Sequence, residues 1–528
     1  MRNEFMVFAV VSLLTVGLLA FLFSTQWLWL LLVLLPIILL GFYDMVQKKH
    51  AIMRNFPILG RGRYIMEWLR PKMYQYFIEP DTDGRPFNRI NRSMVYQRAK
   101  KVLDTAPFGT QLDAYAEGYE WMEHSITPLH MHGLNHDIRI TVGGPDCTQP
   151  YNASILNVSA MSYGSLSKAA VLALNGGAKI GGFAQNTGEG GISPYHLENG
   201  GDIIFQVGTG YFGCRTEDGN FDIEIFAKKM QDERVKMAEL KLSQGAKPGH
   251  GGILPAKKNT AEIAAIRHVK EGTEVISPPY HKAFNTPIGL LEMIAKMRIA
   301  AGGKPVGFKL CIGSKRQFFA ICKAMVETKL LPDFITIDGG EGGTGAAPPE
   351  FSNSVGMPYR DALAFAYNAL VGFGLKEHIK LFASGKITNG FDMYRAFALG
   401  ADACYSARAM MMAVGCIQAL ECNLNTCPTG VATQDPELIR GLVVADKKVR
   451  VANFHEETMK SFAEMLAAAG QKSTQEITRH HVHRRITMSE VRSYAHLYPY
   501  VPENAFLDEN TVPGVYLHNW KNSSADSF

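Results

Sequence analysis

Basic runs are missing from this sequence. Its formal charge is only +5 over 528 residues, so nothing points to a nucleic-acid partner. Charged residues are also sparse, at 20% beside 47% hydrophobic ones. That balance excludes disorder as the main state and predicts a large globular core. Between Phe5 and Tyr43 charge is absent altogether, over 39 residues. A bilayer core takes about 20 apolar residues per helix, so this run is long enough for two spans. Phe5 to Phe23 and Trp27 to Tyr43 are the expected helices, with Ser24, Thr25 and Gln26 as the turn and Trp27 and Trp29 at the interface. A signal peptide would have a single apolar stretch of about 7 to 15 residues; a buried soluble hairpin is the alternative. Arg2 precedes the run, and Lys48, Lys49, Arg54, Arg61 and Arg63 follow it. The positive-inside rule then predicts an inner-membrane protein with two helices in contact with the lipid bilayer and the remaining chain in the cytoplasm.

In a reducing compartment clustered cysteines point to metal rather than to disulfides. Of the eight cysteines, Cys147, Cys214, Cys311, Cys322 and Cys404 are scattered and read as small core residues. The others form Cys416-x5-Cys422-x4-Cys427, followed by Pro428. Three thiolates so spaced suit an iron–sulfur cluster, whereas zinc would want a fourth ligand and no His lies between them. Three unligated thiols is the remaining reading.

Four regions follow from composition: a transmembrane hairpin (1–46), a polar, Arg-rich connector packing on the next domain (47–149), a barrel (150–440) and a helical C-terminal extension (441–528). Short Val/Ile/Phe-rich runs alternate with helical stretches between 155 and 408, the pattern of βα units. The expected strands are 155–161, 182–186, 238–244, 273–278, 306–310, 334–338, 380–384 and 403–407. Eight parallel strands in this length predict an α/β TIM (β/α)8 barrel, with an open doubly wound sheet as the alternative. The loops after the strands are glycine-rich, which lets backbone N–H groups approach a large flat or phosphorylated ligand. Gly208 to Gly213 and Gly340 to Gly345 both match GxGxxG, but neither leads cleanly into a helix, so no Rossmann site is read there. Residues 452–470 predict a helix ending at Gly470. Arg479-His480-His481-Val482-His483-Arg484-Arg485 reads as a basic surface, solvated or facing anionic lipid, rather than as a metal site.

The motifs MSYGSLS (161–167), NTGEGG (186–191), QGAKPGHGG (244–252), ISPPYH (276–281), DGGEGGTGAAPP (338–349) and CIQALECNLNTCPTGVATQDPEL (416–438) occur in order. Together they resemble the FMN-binding synthase domain of glutamate synthase over about 150 to 440. The resemblance implies a barrel of the FMN-dependent type with a 3Fe-4S cluster on Cys416, Cys422 and Cys427. It also implies electrons from an unidentified donor, passed through the cluster to FMN, and hydride transfer to 2-iminoglutarate, formed from 2-oxoglutarate and ammonia, to give L-glutamate. By the same resemblance Met161, Ser162 and Tyr163 line the isoalloxazine, Lys309 lies beside its N1/O2 edge, and Asp338, Gly339 and Gly340 belong to the cofactor site. Ser384, Gly385, Lys386, Ala407 and Arg408 would hold the phosphate. Glu189, Gln244 and Lys247 would face the substrate, Lys247 pairing with a dicarboxylate and the other two orienting the imine.

Departures from the family pattern set further expectations. The family's large enzymes begin with a glutamine amidotransferase domain; a membrane hairpin stands here instead, so glutamine hydrolysis is not expected of this chain. His250 stands where the motif usually has Glu, and Tyr280 where it usually has Pro. An amino-acid or imine dehydrogenase feeding a membrane carrier, a non-catalytic membrane scaffold and a hydroxy-acid oxidase are the rival readings.

Overall fold

The fold was analysed in a computed structural model describing residues 1–103, 105–130 and 134–528. It divides into two compact units, Met1–Arg89 and Ile90–Phe528. The first unit opens with helix α1 (Arg2–Leu22), a 3-10 turn over Thr25–Leu30 and helix α2 (Leu31–Val46). The second apolar helix thus runs from Thr25 to Val46, longer at both ends than expected, because the Ser24 hydroxyl caps Gln26 N–H at 3.3 Å. Both helices are long and apolar enough to cross a membrane. They pack closely: a Cβ at Gly41 would lie 1.9 Å from the Phe5 ring. Helix α3 (Arg61–Met73) follows and widens into a π-helical turn at Tyr74–Ile78.

The second unit holds a closed barrel of eight parallel strands, as the alternating pattern predicts. They are β1 (Leu156–Val158), β2 (Ala184–Asn186), β3 (Asp202–Val207), β4 (Val235–Lys241), β5 (Val306–Leu310), β6 (Phe334–Asp338), β7 (Lys380–Ser384) and β8 (Ala403–Ser406). Each strand pairs with the next, and β8 closes on β1 through Cys404 and Leu156. Two expectations are corrected. Residues 202–207 form the third strand, unrecognised because glycines crowd both of its ends. Residues 273–278 are not a barrel strand: Val275–Ile276 pairs antiparallel with Ile253–Leu254, a small hairpin within the loop after β4.

The surrounding helices are α4 (Lys168–Gly181), α5 (Ile223–Met230), α6 (Pro287–Ala300), α7 (Lys315–Thr328), α8 (Tyr359–Gly372), α9 (Gly390–Ala398) and α10 (Arg408–Val414). Their starts follow local chemistry: Ser167, Asp222, Thr286 and Asn389 accept backbone N–H groups as N-caps. Helix α11 (Val444–Ala468) lies against α4, where a Cβ on Gly177 would come within 2.5 Å of Val451. It starts eight residues earlier than expected and ends, as read, just before Gly470, whose φ is +73°.

The basic cluster at 479–485 is structural rather than a free surface. Arg479 is fully buried and donates to the carbonyls of Tyr498, Pro499 and Ala364. Val482–Arg485 is the central strand of a three-stranded antiparallel sheet with Glu120–Met122 and Val491–Ser493. Arginine reads as surface by composition, but carbonyls at loop ends need donors, and a guanidinium supplies five.

Candidate active site

Side chains alternate across a strand, so residues two apart point the same way into the barrel. At the N-terminal end this alternation packs Ala184, Ile204, Met237, Phe334, Phe382 and Ala403 into an apolar core, closed from below by Val142, Tyr151 and Ala153. One step up the same strands the lining turns polar. Glu239 on β4, fully buried, accepts from Asn186 on β2 at 2.8 Å, Gln206 on β3 at 2.7 Å and Thr336 on β6 at 2.6 Å. Fixed in this way, the carboxylate gives the barrel interior a negative floor.

Lys309 on β5 stands among these groups. Its ammonium lies 3.2 Å from Asp338 at the end of β6, which also accepts from Gly245 N–H at 2.9 Å and from the Ser384 hydroxyl at 2.8 Å. Burial disfavours the charge on Lys309, but Asp338 and Glu239 outweigh it and hold the ammonium above its ordinary range. The structure therefore brings Lys309, Asp338 and Ser384 together as one linked group.

Beside it, where Lys241 on β4 is the register partner of Lys309, a second group gathers. Glu189, after β2, pairs with Lys241 at 3.0 Å, and Lys241 in turn donates to Gln244 at 3.3 Å. Burial would raise Glu189, yet Lys241, Arg267 and Lys247 together keep it below the usual carboxylate range. Lys247 is buried, donates to the Ala346 carbonyl at 3.2 Å and is pulled down to about 8 by desolvation against the attraction of Glu189. Gly208 and Gly252 flank this carboxylate: a Cβ at either would lie 2.7 or 2.4 Å from a Glu189 oxygen. These glycines make room for a side chain of the protein itself, so the glycine density at the mouth is partly a packing requirement rather than wholly a ligand cradle.

Sequence reasoning missed Lys241, Glu239 and Arg267. A charged residue within a buried strand, as in AELKL, was the available signal for the first two. Arg267 lies in a short helix (Ala261–Arg267), donates to the Tyr163 carbonyl at 3.0 Å and to Ser162 at 3.4 Å, and leaves its Nε without a partner. Its burial pushes it down to about 10, opposed by Glu189. Of the expected flavin-lining residues, Ser162 and Tyr163 are thus tied to the Glu189 side of the mouth, with Met161 half-buried beside them. Among the departures, Tyr280 is 70% exposed, whereas His250 packs edge-on against Phe351.

Ser384, Gly385 and Lys386 end β7, with Lys386 at φ +54°. Ala407 and Arg408 open α10, and the Arg408 guanidinium donates to the Glu341 carbonyl at 2.8 Å. Gly339 and Gly385 both lean on Tyr359, the first residue of α8. Cations at the ends of β5, β7 and β8 are a donor set suited to a ring with an electron-rich edge and a phosphate tail, which fits FMN.

Cys416, Cys422 and Cys427 lie in the loop after α10. Burial pushes Cys416 up to about 11 and raises Cys422. It would raise Cys427 too, but N–H groups of Ala432, Thr429 and Val431 and the Thr429 hydroxyl hold that thiol below its ordinary value. Lys258 acts on Cys422 and donates to the Cys422 carbonyl at 2.9 Å and that of Ala432 at 2.8 Å. Among the described residues no group of three or more His, Cys, Asp or Glu is arranged to hold a metal ion. Three neighbouring thiols with N–H donors and a cation nonetheless match, in donor chemistry, what an iron–sulfur cluster requires.

The eight-stranded parallel barrel with its charged mouth puts the second unit in the α/β-barrel class. The family described as "Conserved region in glutamate synthase" matches residues 135–472, and the chain belongs to it. It is 37% identical over 495 residues to the "Glutamate synthase large subunit-like protein YerD" of Bacillus subtilis (strain 168), covering 85% of this chain and 93% of that protein. It is 36% identical over 321 residues to the archaeal glutamate synthase (NADPH) of Methanocaldococcus jannaschii, covering 61% of this chain and 60% of the relative. Against the glutamate synthase (NADPH) large chain of Bacillus subtilis (strain 168) the identity is 34% over 328 residues, and the match spans only 20% of that longer protein. The chain is accordingly an oxidoreductase of the glutamate synthase type.

Proposed function

We propose that this chain is a membrane-attached glutamate synthase-like enzyme that converts 2-oxoglutarate and ammonia, through 2-iminoglutarate, to L-glutamate. The observation that carries the reading is the set of neighbouring charges at the mouth, with Glu189, Lys241, Gln244, Lys247 and Arg267 beside Lys309, Asp338 and Ser384. FMN, when bound, supplies the two-electron reduction of the imine carbon, and a 3Fe-4S cluster on Cys416, Cys422 and Cys427 supplies its electrons from a donor of unidentified class.

The chain's own groups supply the rest. Lys247 and Arg267 are cations for the two carboxylates of the substrate, and the unpartnered Arg267 Nε favours a ligand there. Lys247, near 8, is protonated at neutral pH and donates to the departing hydroxyl as the ketone becomes an imine. Glu189, held ionised by Lys241, accepts a proton from the attacking nitrogen, and Gln244 orients the imine. Lys309 would place positive charge beside the flavin N1/O2 edge when FMN is bound, with Asp338, Gly339 and Gly340 as the wall around it. Met161, Ser162 and Tyr163 line the ring, and Ser384, Gly385, Lys386, Ala407 and Arg408 hold the phosphate. The apolar helices anchor the enzyme in the inner membrane with the barrel on the cytoplasmic side, as the basic residues after Val46 favour.

Anaerobic purification in detergent, followed by photoreduction and addition of 2-oxoglutarate with ammonium, tests this reading. Flavin reoxidation with stoichiometric glutamate is expected. Reoxidation by a quinone but not by these substrates would support instead an amino-acid dehydrogenase feeding a membrane carrier.

A further inference from the structure

The first unit carries an apolar face that the protein leaves uncovered. Helix α3 has no buried residue. At 100° per residue, Ile65, Met66, Trp68, Leu69 and Met73 fall on one side of it, with Arg61 and Lys72 among them between Trp68 and Ile65, while Arg63, Glu67 and Arg70 fall on the other. Ile65, Met66, Trp68 and Met73 are all exposed, and the π-helical turn adds Phe77 and Ile78, at 77% and 63%. Exposed apolar surface on this scale marks an interaction site.

Its placement identifies the partner. Asp44, in the last turn of α2 and fully buried, accepts from Arg61 at 2.7 and 2.9 Å and from Ile58 N–H at 3.1 Å. That clamp pins the start of α3 to the end of the second apolar helix. The stretch from Phe56 to Ile78 carries Arg61, Arg63, Arg70 and Lys72 against a single acid, Glu67. Trp68 has the Lys72 ammonium 3.4 Å above its ring, and Tyr74 and Tyr76 follow. Basic residues with Trp and Tyr on an amphipathic helix next to a membrane span are the composition of a segment lying in the headgroup region, its apolar side sunk about 5 to 10 Å. The geometry points to α3 and the following turn as an in-plane interfacial anchor for anionic lipid. This inference rests on the reading of α1 and α2 as membrane spans.

The test uses the full chain in nanodiscs of phosphatidylcholine with and without phosphatidylglycerol, including lipids brominated near the headgroup end of the acyl chains. Tryptophan quenching is compared among the wild type, Trp68→Phe and Trp27→Phe with Trp29→Phe, so that the first difference reports Trp68 and the second reports the spans, Trp121 and Trp520 being common to all. Expected is a Trp68 component quenched by brominated lipid and shielded from aqueous acrylamide, weakened in anionic bilayers by Arg63→Glu with Arg70→Glu. If Trp27 and Trp29 escape lipid quenching as well, the membrane reading fails. If only Trp68 does and acrylamide reaches it, α3 is free in water and the inference falls alone. A Trp68 shielded from both quenchers would mean that protein, such as a second copy, covers the face, which also overturns it.

Discussion

Lys247 and Lys309 are both buried ammonium groups, yet their surroundings push them in opposite directions. Lys309 has Asp338 and Glu239 to hold its charge, and Lys309→Met removes the ammonium 3.2 Å from Asp338. The purified variant should retain less than a tenth of the wild-type flavin, measured as FMN released per chain, a loss of about 1.4 kcal/mol or more in binding. Lys247 has weaker compensation and sits near 8. Its charge is present below that pH and lost above it, so the KM for 2-oxoglutarate should climb about tenfold per unit above pH 8. Lys247→Arg, charged throughout, should flatten that profile. Lys247 and Glu189 were legible because each sits in a long glycine-rich motif after a strand, and Lys309 because it stands near the end of the apolar strand VGFKL. Arg267 was not, since a basic residue closing a short amphipathic helix reads as a surface cap until the fold buries it.

At the scale of elements, the loops and additions around the barrel hold its mouth in place. Glu120, on the strand Glu120–Met122, is buried between Arg360 at the start of α8 and Arg395 in α9, and accepts from the Tyr494 hydroxyl at 2.9 Å. Burial works against its charge, but the two arginines keep it below the usual carboxylate range. Glu120→Gln should therefore destabilise the second unit by about 1 to 3 kcal/mol, read as a lower urea midpoint, because it removes the charge that half-buried Arg360 and Arg395 share and leaves Arg395 with Asp392. The cysteine loop makes a second case: Cys427→Ser should abolish bound iron while far-UV circular dichroism stays unchanged. Seven of the eight barrel strands were readable from β-branched and aromatic runs. The strand 202–207 was hidden by its flanking glycines, one of which, Gly208, serves Glu189 rather than the turn. The hairpin at 253–276 was misread because TEVISP has strand composition, which carries no information on which sheet a strand joins.

At the scale of the molecule, burial disfavours the charge on three imidazoles among the described residues. Burial lowers His196 to about 3 and His281 and His455 to about 4. All three lie below the unfolded value of about 6.5. The unfolded chain thus binds more protons as the pH falls below that point, and each site costs about 1.4 kcal/mol per pH unit until its folded value is reached. Thermal midpoints of the detergent-solubilised chain should hold above pH 6.5 and drop steeply between 6.5 and 4. The most direct test of the proposed chemistry is to photoreduce the anaerobic protein and add 2-oxoglutarate with 15N-ammonium. The account predicts flavin reoxidation at the rate at which 15N-glutamate appears, whereas a fully reduced flavin that these substrates leave untouched would contradict it.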